Sequence, residues 1–150
     1  MNDSVEHVVS THPFTVRRRI RWGDCDPAGV VYTGRFVEYL LGAVDLFSRH
    51  AFGGLRSAFV NGLGVDTPCK GLSLDFHVAL APDDTVDILM EVARIGEHSW
   101  DLEATARLPD GRVAFRGRFS PICIHLEPRR KAPIPAALRA RLERHAREGG

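Results

Sequence analysis

The chain has 150 residues, with 20 basic and 19 acidic side chains and a formal net charge of +1, which fits one domain able to bury its own core. Such balance gives no electrostatic reason to expect nucleic acid or an anionic membrane as partner. The opening MNDSVEHVVSTHPF lacks the apolar core of a secretory signal and no run approaches a membrane span, so a cytoplasmic protein with no membrane association is expected. Cys25, Cys69 and Cys123 form neither an even set nor a CxxC pair, so free thiols are expected.

From Phe14 to Trp22 the sequence alternates, with Phe14, Val16, Arg18, Ile20 and Trp22 on one side. That period of two predicts a strand with one buried face. The stretch Asp26-Pro27-Ala28-Gly29 carries the residue preferences of a type I turn. Beyond it, Phe36, Leu40, Ala43, Phe47 and Ala51 recur at helical spacing, widened by Val37, Leu41 and Val44. A helix starting near Gly34 and buried on most sides is predicted, ending at the glycines of FGGL.

Four further strands are predicted. Their inward residues are Leu72, Leu74, Phe76, Val78 and Leu80; Val86, Ile88, Met90 and Val92; Trp100, Leu102, Ala104, Ala106 and Leu108; and Val113, Phe115 and Phe119. In the last, Pro121 forces a shift onto Ile122, Ile124 and Leu126, as at a bulge or sheet edge. Short polar connectors make these strands antiparallel. The fold class is α+β: a five- to six-stranded antiparallel sheet wrapped around one long hydrophobic helix. Residues 1–150 form a single domain with its core over about 14–135, and the terminal PAALRARLERHAREGG is expected as a frayed, exposed helix.

The chemistry concentrates around Asp26. An Asp before Pro is most often only the start of a turn. This one, however, stands just ahead of a helix whose first N–H groups lack intrahelical partners and can hold a developing oxyanion. Asp24 is read as a structural residue of the turn. Cys25, between two carboxylates, has an environment that raises a thiol pKa, which argues against a cysteine nucleophile. The seven histidines are scattered without metal-ligand spacing, and no metal site is predicted. GxSxG, P-loop and GxGxxG motifs are lacking. The basic run Arg129-Arg130-Lys131 is either a solvated corner or a phosphate contact.

The string Gly23-Asp24-Cys25-Asp26-Pro27-Ala28-Gly29-Val30-Val31-Tyr32, followed by an apolar helix and by Thr67-Pro68, resembles the hotdog-fold 4-hydroxybenzoyl-CoA thioesterase family. The similarity extends from Phe14 to about Pro135. It implies a hotdog fold in a homodimer or homotetramer, with the active site at the dimer interface and an acyl-CoA thioester as substrate rather than any cofactor. It further implies Asp26 as the catalytic carboxylate and the backbone N–H of Thr33, with Gly34 beside it, as the oxyanion site. Gly29 would let the backbone approach the substrate, Tyr32 would either line the acyl pocket or belong to the core, and Thr67 and Pro68 would face the Asp loop of the other chain. The family's basic CoA-phosphate cluster is replaced here by Gly96-Glu97-His98-Ser99. This leaves His98, Ser99, Arg129 and Arg130 as CoA candidates and admits an acyl-carrier-protein thioester, or a non-catalytic acyl-thioester-binding protein, as alternatives. A dehydratase is disfavoured because no histidine lies near Asp26 in sequence.

Overall fold

The structure, a computed structural model, describes residues 4–147. The chain begins with a hairpin of β1 (Glu6–Thr11) and β2 (Phe14–Arg19). A single 3-10 turn at Trp22–Asp24 and the Asp26 loop then lead into α1 (Arg35–Phe52). A short helix α2 (Arg56–Gly62) and strand β3 (Val65–Asp66) connect α1 to β4 (Cys69–Phe76). After β5 (Thr85–Ile95), β6 (Trp100–Arg107), β7 (Val113–Pro121) and β8 (Ile124–His125), the described chain closes on α3 (Ala136–Glu143). The main sheet is six-stranded in the order β1-β2-β5-β6-β7-β4, and β3 pairs with β8 in a second, two-stranded sheet. Every pairing between these strands is antiparallel.

The periodicity of α1 translates directly into packing. Tyr39, Leu40, Ala43 and Phe47 are fully buried against the inner residues of the sheet, among them Ile88, Met90, Ala106 and Phe115. Each such large apolar side chain contributes about 1.5–3 kcal/mol by leaving water. Gly117 on β7 lets the layers close, since a Cβ there would stand 3.2 Å from Leu40 and 3.1 Å from Leu74. Gly53 ends α1 in the left-handed conformation with φ 72°, its N–H returned to the Arg49 carbonyl, as the FGGL stop requires.

Several expectations are corrected. β1 was not anticipated; it is an outer strand with Val8 and Val9 partly exposed, so its alternation carries little hydrophobic contrast. Nor was α2, whose seven residues are too few for a helical period to stand out. Trp22 leaves the strand for the 3-10 turn and is 85% exposed. The inward face expected for β4 is largely uncovered, with Leu72 and Phe76 exposed, because β4 is the last strand of the sheet. Leu41 of α1 is likewise exposed. The shift at Pro121 does occur, as an extra residue in β4 between Cys69 and Gly71 opposite it. Past it the buried residue is Cys123, while Ile122 and Ile124 are half-buried and Leu126 is exposed.

The expected frayed tail is docked instead. Leu138 and Leu142 of α3 are fully buried, and beyond α3 Ala146 bridges to Val92 while the Arg147 N–H donates to the Val92 carbonyl. α3 is polar overall, and what buries it is two leucines one turn apart, which suffice to seat it on β5.

Candidate active site

The loop ahead of α1 is built as its residue types dictate. The Asp26 carbonyl accepts the Gly29 N–H at 2.9 Å, closing the turn, and Asp26 Oδ1 accepts the Ala28 N–H at 2.9 Å. Gly29 adopts φ 82°, where a side chain is strained. A Cβ on it would meet no atom within 4 Å. Backbone conformation, not crowding within the chain, therefore requires glycine here. The loop is tied to the sheet by the Val31 N–H to the Leu80 carbonyl at 2.8 Å, and to its own foot by the Tyr32 N–H to the Asp24 carbonyl at 3.0 Å.

Asp24 anchors that foot, in agreement with its structural reading. Its buried carboxylate accepts from the Tyr39 hydroxyl at 2.9 Å, the Arg21 N–H at 3.2 Å and Arg18 Nη2 at 3.3 Å. Burial works against its ionisation, but the hydrogen bonds from Tyr39 and Arg21 and the charges of Arg18 and Arg21 outweigh it and hold the carboxyl below the usual carboxylate range. Burial, followed by the bond to Asp24, pushes the Tyr39 phenol up. The Cys25 thiol is raised by burial, with Asp24, Asp26 and Asp84 adding; that is the opposite of what a nucleophilic cysteine needs.

At the start of α1 the Arg35 N–H is spent on the Tyr32 carbonyl and the Phe36 N–H on the Thr33 carbonyl. The Thr33 and Gly34 N–H groups have no hydrogen-bond partner among the described residues. The exposed Tyr32 ring lies over Gly34, where an added Cβ would stand 2.8 Å from Tyr32 Cε1. Thr33 and Phe36 open onto a groove of about 310 Å³ completed by Phe76 to Leu80. That groove brings in His77, exposed and distant from Asp26 in sequence. Its place beside the helix start was illegible in the sequence, because it depends on the connection from β4 to β5 folding back over the loop.

Thr67 and Pro68 lie elsewhere. They border a cavity of about 230 Å³ between the C-terminal half of α1, the start of α2 and the sheet. Thr67 is buried, with its Oγ1 accepting from Arg56 Nη1 at 2.6 Å. The Pro68 carbonyl accepts the Ile122 N–H at 2.9 Å. The groove and the cavity share no lining residue, so one chain does not bring Thr67 and Pro68 to Thr33 and Gly34.

The four CoA candidates gather at one end of the sheet. The Cys123 N–H donates to the His98 carbonyl at 2.7 Å and the His125 N–H to the Arg130 carbonyl at 2.8 Å, which lays the β5–β6 turn and the Arg129–Arg130 loop on either side of one segment. Ser99 is buried and its hydroxyl is held by Arg94 Nη2 at 2.9 Å. His98 Nε2 faces the Glu97 carboxylate at 3.7 Å, whereas Arg129 and Arg130 are exposed. Among the described residues there is no metal-binding group of three or more His, Cys, Asp or Glu, and no helix is long and apolar enough to cross a membrane.

A family model described as the thioesterase-like superfamily matches residues 20–142, which include the Asp26 loop, α1 and the whole run from β4 to β8. The chain belongs to that superfamily. This thioesterase shares its fold with a thioesterase-superfamily structure from Jannaschia sp. CCS1 at 28% identity and TM-score 0.78, covering 90% of this chain and 94% of that one. A 1,4-dihydroxy-2-naphthoyl-CoA thioesterase from Synechocystis matches at 21% identity and TM-score 0.76, over 86% and 94% of the two chains. A Staphylococcus aureus protein solved in complex with CoA matches at 13% identity and TM-score 0.79, over 97% and 87%. No curated protein matches. The sheet wrapped around α1 is thus the expected hotdog fold, and the enzyme class is thioester hydrolase.

Proposed function

We propose that this thioesterase hydrolyses acyl-CoA thioesters carrying an aromatic, hydroxybenzoyl-like or short acyl group. The observation that carries this reading is the pair of unspent N–H donors at Thr33 and Gly34, next to the loop that presents Asp26. Donors held at the positive end of a helix stabilise the oxygen of a thioester carbonyl as it becomes negative. Asp26 either adds to the carbonyl carbon, expelling the CoA thiolate and leaving an anhydride that water opens, or takes a proton from the water that adds. Both routes consume one water and yield a free carboxylic acid and CoA thiol. The substrate itself brings the CoA, and no cofactor takes part.

The site is assembled between two chains in a homodimer, which pairs further into a tetramer. The Asp26 loop of one chain faces the Thr67–Pro68 cavity of the other. Supporting this, groove and cavity are separate within one chain, and the last strand, β4, leaves Leu72 and Phe76 uncovered. Gly29 and Tyr32 border the acyl group, and His98, Ser99, Arg129 and Arg130 stand at the CoA end. One observation favours an acyl-carrier-protein thioester instead: the exposed Glu97 beside His98 repels nucleotide phosphates.

The test is thiol release from aromatic, short-chain and long-chain acyl-CoA and acyl-carrier-protein thioesters, with wild type and Asp26→Asn side by side. The expected result is CoA-thioester hydrolysis reduced by at least about 100-fold in the variant, with an unchanged circular dichroism spectrum. An equally active variant would remove Asp26 from the chemistry. Saturable CoA binding without any thiol release would make the chain a non-catalytic binding protein.

A further inference from the structure

Resting on the thioester-hydrolase reading, we propose that Ser48 is a specificity-determining residue that reads a hydroxyl group on an aromatic acyl substrate. The cavity beside Thr67 is walled mainly by apolar and aromatic side chains, including Phe47, Phe52, Leu102 and Phe119. Such walls select a ring but cannot orient it. Polar groups in the cavity wall are for the most part already engaged. Thr67 Oγ1 is bonded to Arg56, Arg56 also faces Asp66, Asp45 is paired with Arg49, and the Cys69 thiol meets the Gly71 carbonyl.

Ser48 and Trp100 are the exceptions. Both line the cavity, with only 6% and 2% of their surface exposed. Neither the Ser48 hydroxyl nor the Trp100 indole N–H has a hydrogen-bond partner among the described residues, and neither is a fully occluded atom. An unpaired polar group in a largely apolar pocket is costly when an apolar ligand displaces its water, and favourable when the ligand supplies the missing bond. A serine hydroxyl both donates and accepts, whereas an indole only donates. A phenolic hydroxyl, itself donor and acceptor, satisfies either group, and an unsubstituted ring satisfies neither. The position also makes structural sense for a selector, since Ser48 sits within α1 and is held by the packing of Phe47 and Ala51 on either side of it.

The experiment compares kcat/KM for benzoyl-CoA and for the 2-, 3- and 4-hydroxybenzoyl-CoA isomers in wild type, Ser48→Ala and Trp100→Phe. Wild type is expected to favour at least one hydroxylated isomer over benzoyl-CoA by on the order of tenfold. Ser48→Ala, which suits a helix and makes the cavity more apolar, should erase that preference, with kcat/KM falling for the favoured hydroxylated isomer and holding or rising for benzoyl-CoA, whose ring no longer covers an unpaired hydroxyl. Trp100→Phe should reduce the same preference while Ser48 is intact. An unchanged preference in Ser48→Ala, or a wild type that favours benzoyl-CoA over all three isomers, overturns the inference while leaving thioester hydrolysis standing. Hydrolysis of aliphatic thioesters alone does the same. Absence of thiol release from every thioester overturns the underlying reading together with the inference.

Discussion

Arg18 donates to Asp24 across 3.3 Å beneath the Asp26 loop, and the two side chains are only 10% and 2% exposed. The guanidinium also lies 4.7 Å from the Tyr39 ring centroid and 3.6 Å from the Glu6 carboxylate of β1. The candidate catalytic loop therefore stands on a buried ionic foot that joins the outer hairpin to α1. Two charges withdrawn from water in this way need each other more than either contributes net stability.

Asp24→Asn leaves Arg18 buried without its nearest counter-charge, and should cost about 3–5 kcal/mol, read as a lower urea midpoint. The pH dependence has a definite sign. A carboxyl whose folded pKa is depressed contributes stability that is present above its ordinary value and is lost as pH falls through the folded value. Wild type should therefore lose stability on the acid side, and Asp24→Asn should lose less over the same interval. Equal acid slopes in the two proteins would show that Asp24 is not held ionised.

Leu142 tests the docking of α3. It is fully buried in the last turn of α3, and Leu142→Ala should destabilise by about 2–5 kcal/mol, measured by chemical denaturation. A frayed helix would make the same change neutral.

His145 meets His12 and His50 with ring centroids 5.9 and 5.4 Å apart, tying the segment after α3 to the β1–β2 turn and to the end of α1. Burial, then the charges of His50, His12 and Arg144, lowers its pKa from the ordinary imidazole value of 6.5. Below that value the unfolded chain takes up a proton that the folded protein resists, so stability falls with pH until the lower folded pKa is reached. The thermal midpoint of wild type should drop between about pH 7.5 and about pH 5.5, and His145→Asn should flatten that drop. An unaltered slope in the variant would place the acid sensitivity on other groups.

Where a segment is buried by its own periodicity, the fold was legible without coordinates. The alternations of β5 and β6 name their inward faces correctly, as does the helical spacing of α1 apart from Leu41, and FGGL ends α1 in the conformation only glycine adopts freely. The turn at Asp26 was equally local, because Asp, Pro and Gly impose it within four residues.

What remained hidden depends on neighbours. β4 reads as an inward strand from Leu72 to Phe76, yet only its position at the end of the sheet leaves that face bare. α3 reads as a solvated tail, yet two leucines find a seat on β5. His77 joins Thr33 in one groove, and Ser48 and Trp100 line one cavity, through closures between residues more than 40 positions apart. Read alone, the sequence yields the strongly periodic elements and the turn at Asp26, since these follow from bonds and sterics between near neighbours. Which donors stay unspent, which polar groups line the cavity together and which faces remain open emerge with the packed chain, because burial and hydrogen-bond satisfaction are properties of segments brought together in space.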